Sequence, residues 1–80
     1  MEEITLDVIP INKNETFPTK NEWFHFVTKK EKNIPEVVIL DRMIQQISNM
    51  FYECDCIIIL EKGRVIEIFN KAKGETKWQE

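Results

Sequence analysis

The first pattern along the chain is an alternation near its start. Ile4, Leu6 and Val8 occupy every second position, and they are followed by Pro10, which cannot donate a hydrogen bond to a neighbouring strand. A period of two with β-branched side chains predicts a strand with one face toward water. The polar segment Asn12–Pro18 has no period and is interpreted as a loop.

The strongest pattern has the period of a helix and begins at Pro35, a residue favoured in a first helical turn. Apolar side chains then recur at steps of three and four, at Val37, Leu40, Ile44, Ile47 and Phe51. This spacing predicts a long helix. Ile39, Met43 and Met50 widen its apolar arc to about 160° and form the edge of that arc.

The segment Trp23–Val27 fits two structures. Its aromatic and β-branched residues favour a strand, whereas their positions fit a helix. Thr19 and Glu22 have the spacing of a capping box, and a helical projection places the apolar side chains on one side and His25 on the other. These two features favour a short helix, with a strand as the alternative.

Two runs rich in β-branched residues follow the long helix. Cys56–Leu60 and Val65–Phe69 are joined through Lys62 and Gly63, and glycine supplies the positive φ of a tight turn. The pattern predicts a hairpin. Its first strand is apolar on both faces, so we expect a central strand that is covered on each side, or on one side by a partner chain.

Together these elements predict an α+β fold. A small antiparallel sheet, made of the N-terminal strand and the C-terminal β-hairpin, is expected to pack against one long and one short helix. Residues 1–70 are expected to form a single domain, because a chain of 80 residues supports one core. Residues 71–80 have no period and are predicted to form a mobile tail.

Charge and composition argue against several classes of function. The net charge is −3 with both signs interleaved, which does not fit a basic nucleic-acid surface. Two glutamates follow Met1, where a secretory signal needs basic residues, and the longest apolar run, Cys56–Leu60, is too short for a membrane helix. We therefore expect a cytoplasmic protein with reduced cysteines that binds neither nucleic acid nor a membrane.

Metal and acid–base chemistry have little support in the residues. A structural zinc site needs four ligands, and Cys54 with Cys56 could give two, which leaves His25 and a distant carboxylate to supply the others. Cys-x-Cys without a second cysteine pair is more typical of buried thiols. His25 with Glu22 could act as acid and base, but no nucleophile accompanies them. We predict no catalytic residue, no metal and no cofactor.

The stretch DCIIILEKGRVIEIFN, residues 55–70, resembles the hairpin near the end of ATP-binding-cassette ATPases, with an aspartate, an apolar run, an EKGR turn and a returning strand. The resemblance covers about a fifth of the chain and implies a structural element without activity. Those enzymes hold phosphate in a G-x-x-x-x-G-K-[ST] loop, which a chain with only Gly63 and Gly74 cannot form. We interpret the similarity as convergence.

The function expected from these features is binding of another protein. Aromatic residues and methionine are enriched in interface cores, and the candidate contact residues are Ile39, Met43, Met50, Trp23 and Phe24. A homodimer is expected because so small a core gains from association. A composition rich in Ile, Lys and Asn with a single Ala fits an AT-rich genome, and a phage-encoded inhibitor or adaptor of a host protein is the most concrete version. The alternative is a small enzyme or ligand-binding subunit that uses His25 and the Cys54/Cys56 region.

Overall fold

A computed structural model describes residues 2–70 of the chain. The elements in this range are β1 (Glu3–Ile11), a 3-10 turn (Lys20–Glu22), β2 (Phe24–Lys29), α1 (Glu36–Met50), β3 (Cys56–Glu61) and β4 (Arg64–Asn70). The predicted mobile tail, residues 71–80, lies outside the described residues.

The four strands form one antiparallel sheet in the order β2-β1-β3-β4. β1 lies inside the sheet, since Leu6 pairs with Phe26 of β2 and Val8 pairs with Ile59 of β3. β3 and β4 form the predicted hairpin. The N-terminal strand and the hairpin therefore share a small antiparallel sheet as predicted, and β2 adds a fourth strand to it.

α1 packs on one face of this sheet, which confirms the long helix. The core between the two layers consists of eight buried side chains: Ile4, Leu6, Val8, Ile39, Met43, Ile47, Ile57 and Ile59. The buried stripe of the helix differs from the predicted one, because Val37 is 69% exposed while Ile39 and Met43 are buried. Two residues of the predicted edge of the apolar arc, Ile39 and Met43, therefore face the sheet, whereas Met50 is exposed.

The predicted short helix at Trp23–Val27 is wrong, because this segment lies in and next to strand β2. The backbone N–H of Thr19 does donate a hydrogen bond to Glu22 Oε1 at 3.0 Å, but this contact closes only the 3-10 turn. Trp23 is already extended, with φ −74° and ψ 155°. The backbone N–H and C=O groups of β1 that face away from β3 need hydrogen-bond partners, and β2 supplies them. This pairing outweighs the weak local preference of Trp23–Val27 for a helix.

β3 is a central strand, as predicted, but its two faces differ. Ile57 and Ile59 are fully buried beneath α1, whereas Ile58 and Leu60 point to the opposite face and are partly exposed. No helix of residues 2–70 covers that second face. Within the described part of the chain, only one face of β3 is therefore covered by a helix.

The turn between β3 and β4 has the conformation expected for glycine. Lys62 and Gly63 have φ values of 53° and 80°. Two successive positive φ values are typical of the primed two-residue turns that match the twist of a hairpin. The predicted role of Gly63 is confirmed.

Candidate functional site

β2 is an edge strand whose outer side is unpaired. β1 pairs with it along Glu3–Val8, and no other strand of residues 2–70 lies on its other side. None of its six residues is buried. Backbone N–H and C=O groups along such an edge can pair with the backbone of another chain.

Alternate residues of β2 direct their backbone groups toward β1 and away from it. The backbone N–H of Lys30 donates to the carbonyl of Glu2 at 3.0 Å, and the register continues from this pair, two residues along, to Ile4 opposite Thr28. By this alternation, the backbone groups of Phe24, Phe26 and Thr28 face β1. Those of His25, Val27 and Lys29 face outward.

The other edge strand, β4, is less suited to pairing with a further strand. Its register with β3 shifts between Ile59 and Leu60. A bulge of this kind increases local twist and blunts an edge against pairing. The register of β2 with β1 is continuous, so β2 is the better edge for a partner.

α1 lies beside the unpaired edge of β2. A cavity of about 120 Å³ lies between the two elements, and its lining comprises Thr28, Lys29, Glu31, Ile39, Arg42, Met43 and Gln46. The helical members follow steps of three and four, so one stripe of α1 faces the strand. Met50 continues this stripe by one turn. We define the β2/α1 groove as β2 together with the stripe Ile39, Arg42, Met43, Gln46 and Met50.

An aromatic cluster closes the groove where β2 begins and α1 ends. The ring centroid of Phe51 lies 5.0 Å from that of Phe24 and 6.2 Å from that of Phe26, both in edge-to-face geometry. Such contacts are favourable between aromatic rings. Phe24 is nevertheless 48% exposed and Met50 is 64% exposed. This end of the groove therefore presents a large apolar surface.

The opposite end of the groove has charged side chains of both signs. Lys30 Nζ lies 2.8 Å from Glu2 Oε1 and 3.3 Å from Glu36 Oε1. The hydrogen bond to Glu2 raises the pKa of Lys30, and the same bond lowers the pKa of Glu2. The positive charge of Lys30 is therefore compensated by neighbouring carboxylates. Among the described residues Arg42 forms no ion pair, but Glu31 lines the same cavity, and Lys29 lies directly opposite Glu3 of β1.

Four of the five predicted partner-binding residues lie at this groove, two of them buried and two exposed. Ile39 and Met43 are 4% and 5% exposed and form its floor, which places them in the core, and their role in partner binding stays a prediction. Phe24 and Met50 are exposed. Trp23 precedes β2 and is half-buried; its indole N–H is buried and has no hydrogen-bond partner in residues 2–70.

The sheet face opposite α1 is a second exposed surface. Its apolar half carries Ile58, Leu60, Val65 and Ile68, of which the last two are each 54% exposed. On its polar half, His25 Nδ1 lies 2.6 Å from Asp7 Oδ1. This face offers side chains alone, whereas the groove also offers unpaired backbone groups with a fixed direction.

The residues of the catalytic alternative do not assemble into one site. His25 lies on β2 and Cys56 on β3, with β1 between them. Cys54 packs against the core, and Cys56 is a free thiol. Burial raises the pKa of the Cys56 thiol, and the carboxylate of Asp55 raises it further. Within the described range, no three His, Cys, Asp or Glu side chains are grouped to hold a metal ion.

Two features of the groove were missed by the sequence analysis. Arg42 belongs to the polar side of the long helix by periodicity, and only the topology shows that this side borders β2. The outward backbone groups of β2 also depend on which strand pairs with it. One local signal was present: Phe24 and Phe26 alternate with His25 and Val27, which is the period of a strand.

Comparison with models of protein families, with curated proteins and with solved structures finds no match for this chain. In the range 2–70, no helix has the length and apolar content needed to cross a bilayer.

Proposed function

We propose that this protein binds another protein in the β2/α1 groove. The observation that carries the proposal is the coincidence of two features along one channel. The outer edge of β2 has backbone groups without a strand partner, and Phe24 and Met50 expose large apolar side chains beside it. Unpaired edges are templates for pairing with another chain, and clustered exposed apolar groups mark interaction sites.

Two partners fit this general proposal. A second copy of the chain could pair β2 with β2 across a twofold axis, which is the homodimer expected from the small core. A different protein could occupy the groove instead. A phage-encoded inhibitor or adaptor of a host protein is the biological form that we favour, because it suits the chain's size and its AT-rich codon bias.

Site-specific photo-crosslinking in the cells that carry the gene tests the proposal. A benzophenone side chain at Phe24 or Met50 of the full chain is expected to form covalent adducts larger than the monomer. The matched control is the same side chain at Val37, which is 69% exposed at the other end of α1. An adduct of twice the monomer mass identifies a second copy, and any other mass a different protein. Absence of adducts at both groove positions, or equal adducts at Val37, contradicts the proposal.

A pair of charge substitutions separates binding from folding. Met50→Glu places a carboxylate on a side chain that is 64% exposed, so the fold should persist while the crosslinked adducts at Phe24 disappear. Met43→Glu buries a charge at a site that is 5% exposed and should unfold the chain. Circular dichroism and melting temperature report the fold. A folded Met50→Glu variant with undiminished adducts would place the binding surface elsewhere.

A further inference from the structure

We infer that the occupant of the β2/α1 groove is a second copy of this chain, whose β2 pairs antiparallel with β2 across a twofold axis at Phe26. The two four-stranded sheets then join into one continuous sheet with both copies of α1 on the same face. The inference rests on the proposed function and names its partner. In this arrangement the proposed inhibitor or adaptor acts as a dimer, and the sheet face opposite α1 stays uncovered.

β2 lacks the features that keep an edge strand from pairing with its own copies. Natural edge strands are protected by proline, by a bulge or by charged side chains that point into the sheet. β2 has the sequence FHFVTK without proline, and its register with β1 is continuous over six pairs. The other edge, β4, does have a bulge. Copies of one chain are always present together, so the unprotected edge pairs with a second copy if the two strands match.

The charges along β2 are compensated within the chain. His25 Nδ1 lies 2.6 Å from Asp7 Oδ1, and Lys29 lies directly opposite Glu3 of β1. Each positive side chain of β2 therefore has a carboxylate on the neighbouring strand of its own chain. The edge carries no excess charge that would repel a second copy.

Backbone direction limits the possible registers of the pair. The outward groups belong to His25, Val27 and Lys29, and opposite residues of two antiparallel strands must both direct these groups toward the partner or both away from it. A twofold axis that satisfies this condition passes through a residue and not between two residues. Only an axis at Phe26 or at Val27 keeps more than half of β2 paired with its copy.

Side-chain chemistry selects between these two axes. An axis at Val27 places Lys29 opposite His25 of the second copy, on both sides of the axis. Two positive side chains would then face each other whenever His25 is protonated, and like charges in this position are destabilising. An axis at Phe26 places His25 opposite Val27 instead, and Phe24 opposite Thr28. No charged residue of β2 then lies opposite another one.

An axis at Phe26 also joins the aromatic clusters of the two copies. The ring centroid of Phe51 lies 6.2 Å from that of Phe26 and 5.0 Å from that of Phe24 within one chain. Phe26 and its copy form a non-hydrogen-bonded pair, whose Cα atoms are about 4.5 Å apart, so their rings can contact. Cross-strand aromatic pairs are favourable. The result is a continuous row of aromatic rings across the axis.

The backbone and the helices fit this arrangement. His25 of each copy lies opposite Val27 of the other, and each such pair exchanges two backbone hydrogen bonds. The two copies of β1 are three strand spacings apart, about 14 Å. The core joins α1 to β1 and β3, and a helix with its side chains is about 10–12 Å wide. The two copies of α1 therefore fit side by side above the joined strands.

Sedimentation velocity and light scattering of the full chain test the association. The mass should rise with concentration from one chain to two and stop there, because the twofold pairing uses each β2 edge once. A chain that stays monomeric up to about 1 mM overturns the inference. Growth beyond two chains overturns it as well, since the contact would then not be closed by a twofold axis.

A matched pair of variants tests whether the contact uses the β2 backbone. Val27→Pro removes an outward N–H from each copy at an edge position, where proline is tolerated, and should raise the dissociation constant of the dimer by about tenfold or more. Val27→Thr keeps that N–H and should dimerise within about threefold of the parent. Circular dichroism confirms the fold of both variants. A folded Val27→Pro variant that dimerises as tightly as the parent overturns the inference.

Disulfide trapping measures the register and does not depend on the proline variant. A mixture of His25→Cys and Val27→Cys chains should form, on mild oxidation, a disulfide between position 25 of one copy and position 27 of the other. Peptide mass spectrometry identifies the joined positions and distinguishes them from Cys54 and Cys56. A disulfide between two Val27→Cys chains places the axis at Val27 and overturns the inferred register. No interchain disulfide at either position overturns the pairing itself.

Failure of the dimer and failure of the proposed function can be told apart. If the chain stays monomeric while photo-crosslinking at Phe24 and Met50 gives adducts of a mass other than twice the monomer, protein binding stands and the second copy is wrong as its partner. If the crosslinking gives no adducts at these positions, the proposed function itself fails.

Discussion

Ile57 and Ile68 lie on neighbouring strands but in opposite environments, and they form a matched test of the core. Ile57 is fully buried against α1, whereas Ile68 is 54% exposed on the other face of the sheet. Ile57→Ala should lower the free energy of unfolding by about 3 kcal/mol, because it removes buried methyl groups and leaves a cavity. Ile68→Ala should cost less than about 1 kcal/mol. Urea denaturation measures both, and equal costs would contradict the assignment of α1 to the Ile57 face.

Cys56 should react slowly because burial raises the pKa of its thiol, and the thiolate is the nucleophile. Iodoacetamide at about pH 8 is expected to label Cys56 faster in urea than in the folded chain. Peptide mass spectrometry measures the rate at this residue. Equal labelling rates in the two states would contradict the half-buried position of Cys56 at the start of β3.

The raised pKa of Cys56 also has a consequence for stability at alkaline pH. Because the pKa in the folded state exceeds the ordinary value of 9.0, the contribution of Cys56 to stability is fully present below that pH. It is lost as the pH rises from there through the folded-state pKa. Cys56→Ala should therefore lose less stability than the parent chain between about pH 8 and about pH 10, as measured by urea denaturation. A larger loss in the variant would contradict this sign.

At the scale of single elements, α1 and the β3/β4 hairpin followed from sequence because their signals are local. The helical stripe needs only the spacing of its own apolar residues, and the hairpin needs only two β-rich runs around Gly63. β2 could not be settled in this way. Its local capping contact favours a helix, and its strand conformation comes from pairing with β1, which lies 16 or more residues earlier in the chain.

The hairpin turn gives a prediction that depends on backbone conformation alone. Gly63 has φ 80°, and a Cβ added there would meet no atom within 4 Å. Gly63→Ala should therefore destabilise the chain by about 1 kcal/mol through strain and not through a clash. Lys62 also has a positive φ, 53°, which asparagine adopts more readily than lysine in a hairpin turn. Lys62→Asn should therefore raise the free energy of unfolding by less than about 1 kcal/mol. Thermal melts that show no loss for Gly63→Ala would contradict this turn geometry.

At the scale of the whole molecule, a single helix covers one face of a four-stranded sheet. The core runs beneath α1 along β1 and β3, and it leaves both edge strands at the periphery. The groove lies between α1 and the edge strand β2, whose residues line a common cavity. This arrangement could not be read from sequence, since it depends on strand order and on the rotation of α1 that buries Ile39 and Met43.

The same arrangement explains why some of the predicted contact residues are exposed and others are buried. Met50 and Phe24 are exposed because they lie where α1 and β2 reach the end of the core. Ile39 and Met43 lie about three and two turns before Met50 in the same helical stripe, and they belong to the buried core instead. Periodicity identifies the apolar stripe of α1. Which residues of that stripe are exposed depends on how far the sheet extends beneath the helix.

Within the described residues β2 is a strand with an unpaired outer edge, and residue-resolved amide hydrogen exchange of the free chain, at a dilution where it is monomeric, can detect that edge. The amides of Phe24, Phe26 and Thr28 should exchange at least about tenfold more slowly than those of His25, Val27 and Lys29, because only the first set donates to β1. Uniform protection of all six amides would mean that the outer edge is already covered. A continuous run of protected amides starting before Phe24 would mean that the segment is a helix. Either result would contradict the account, and the alternating pattern would support it.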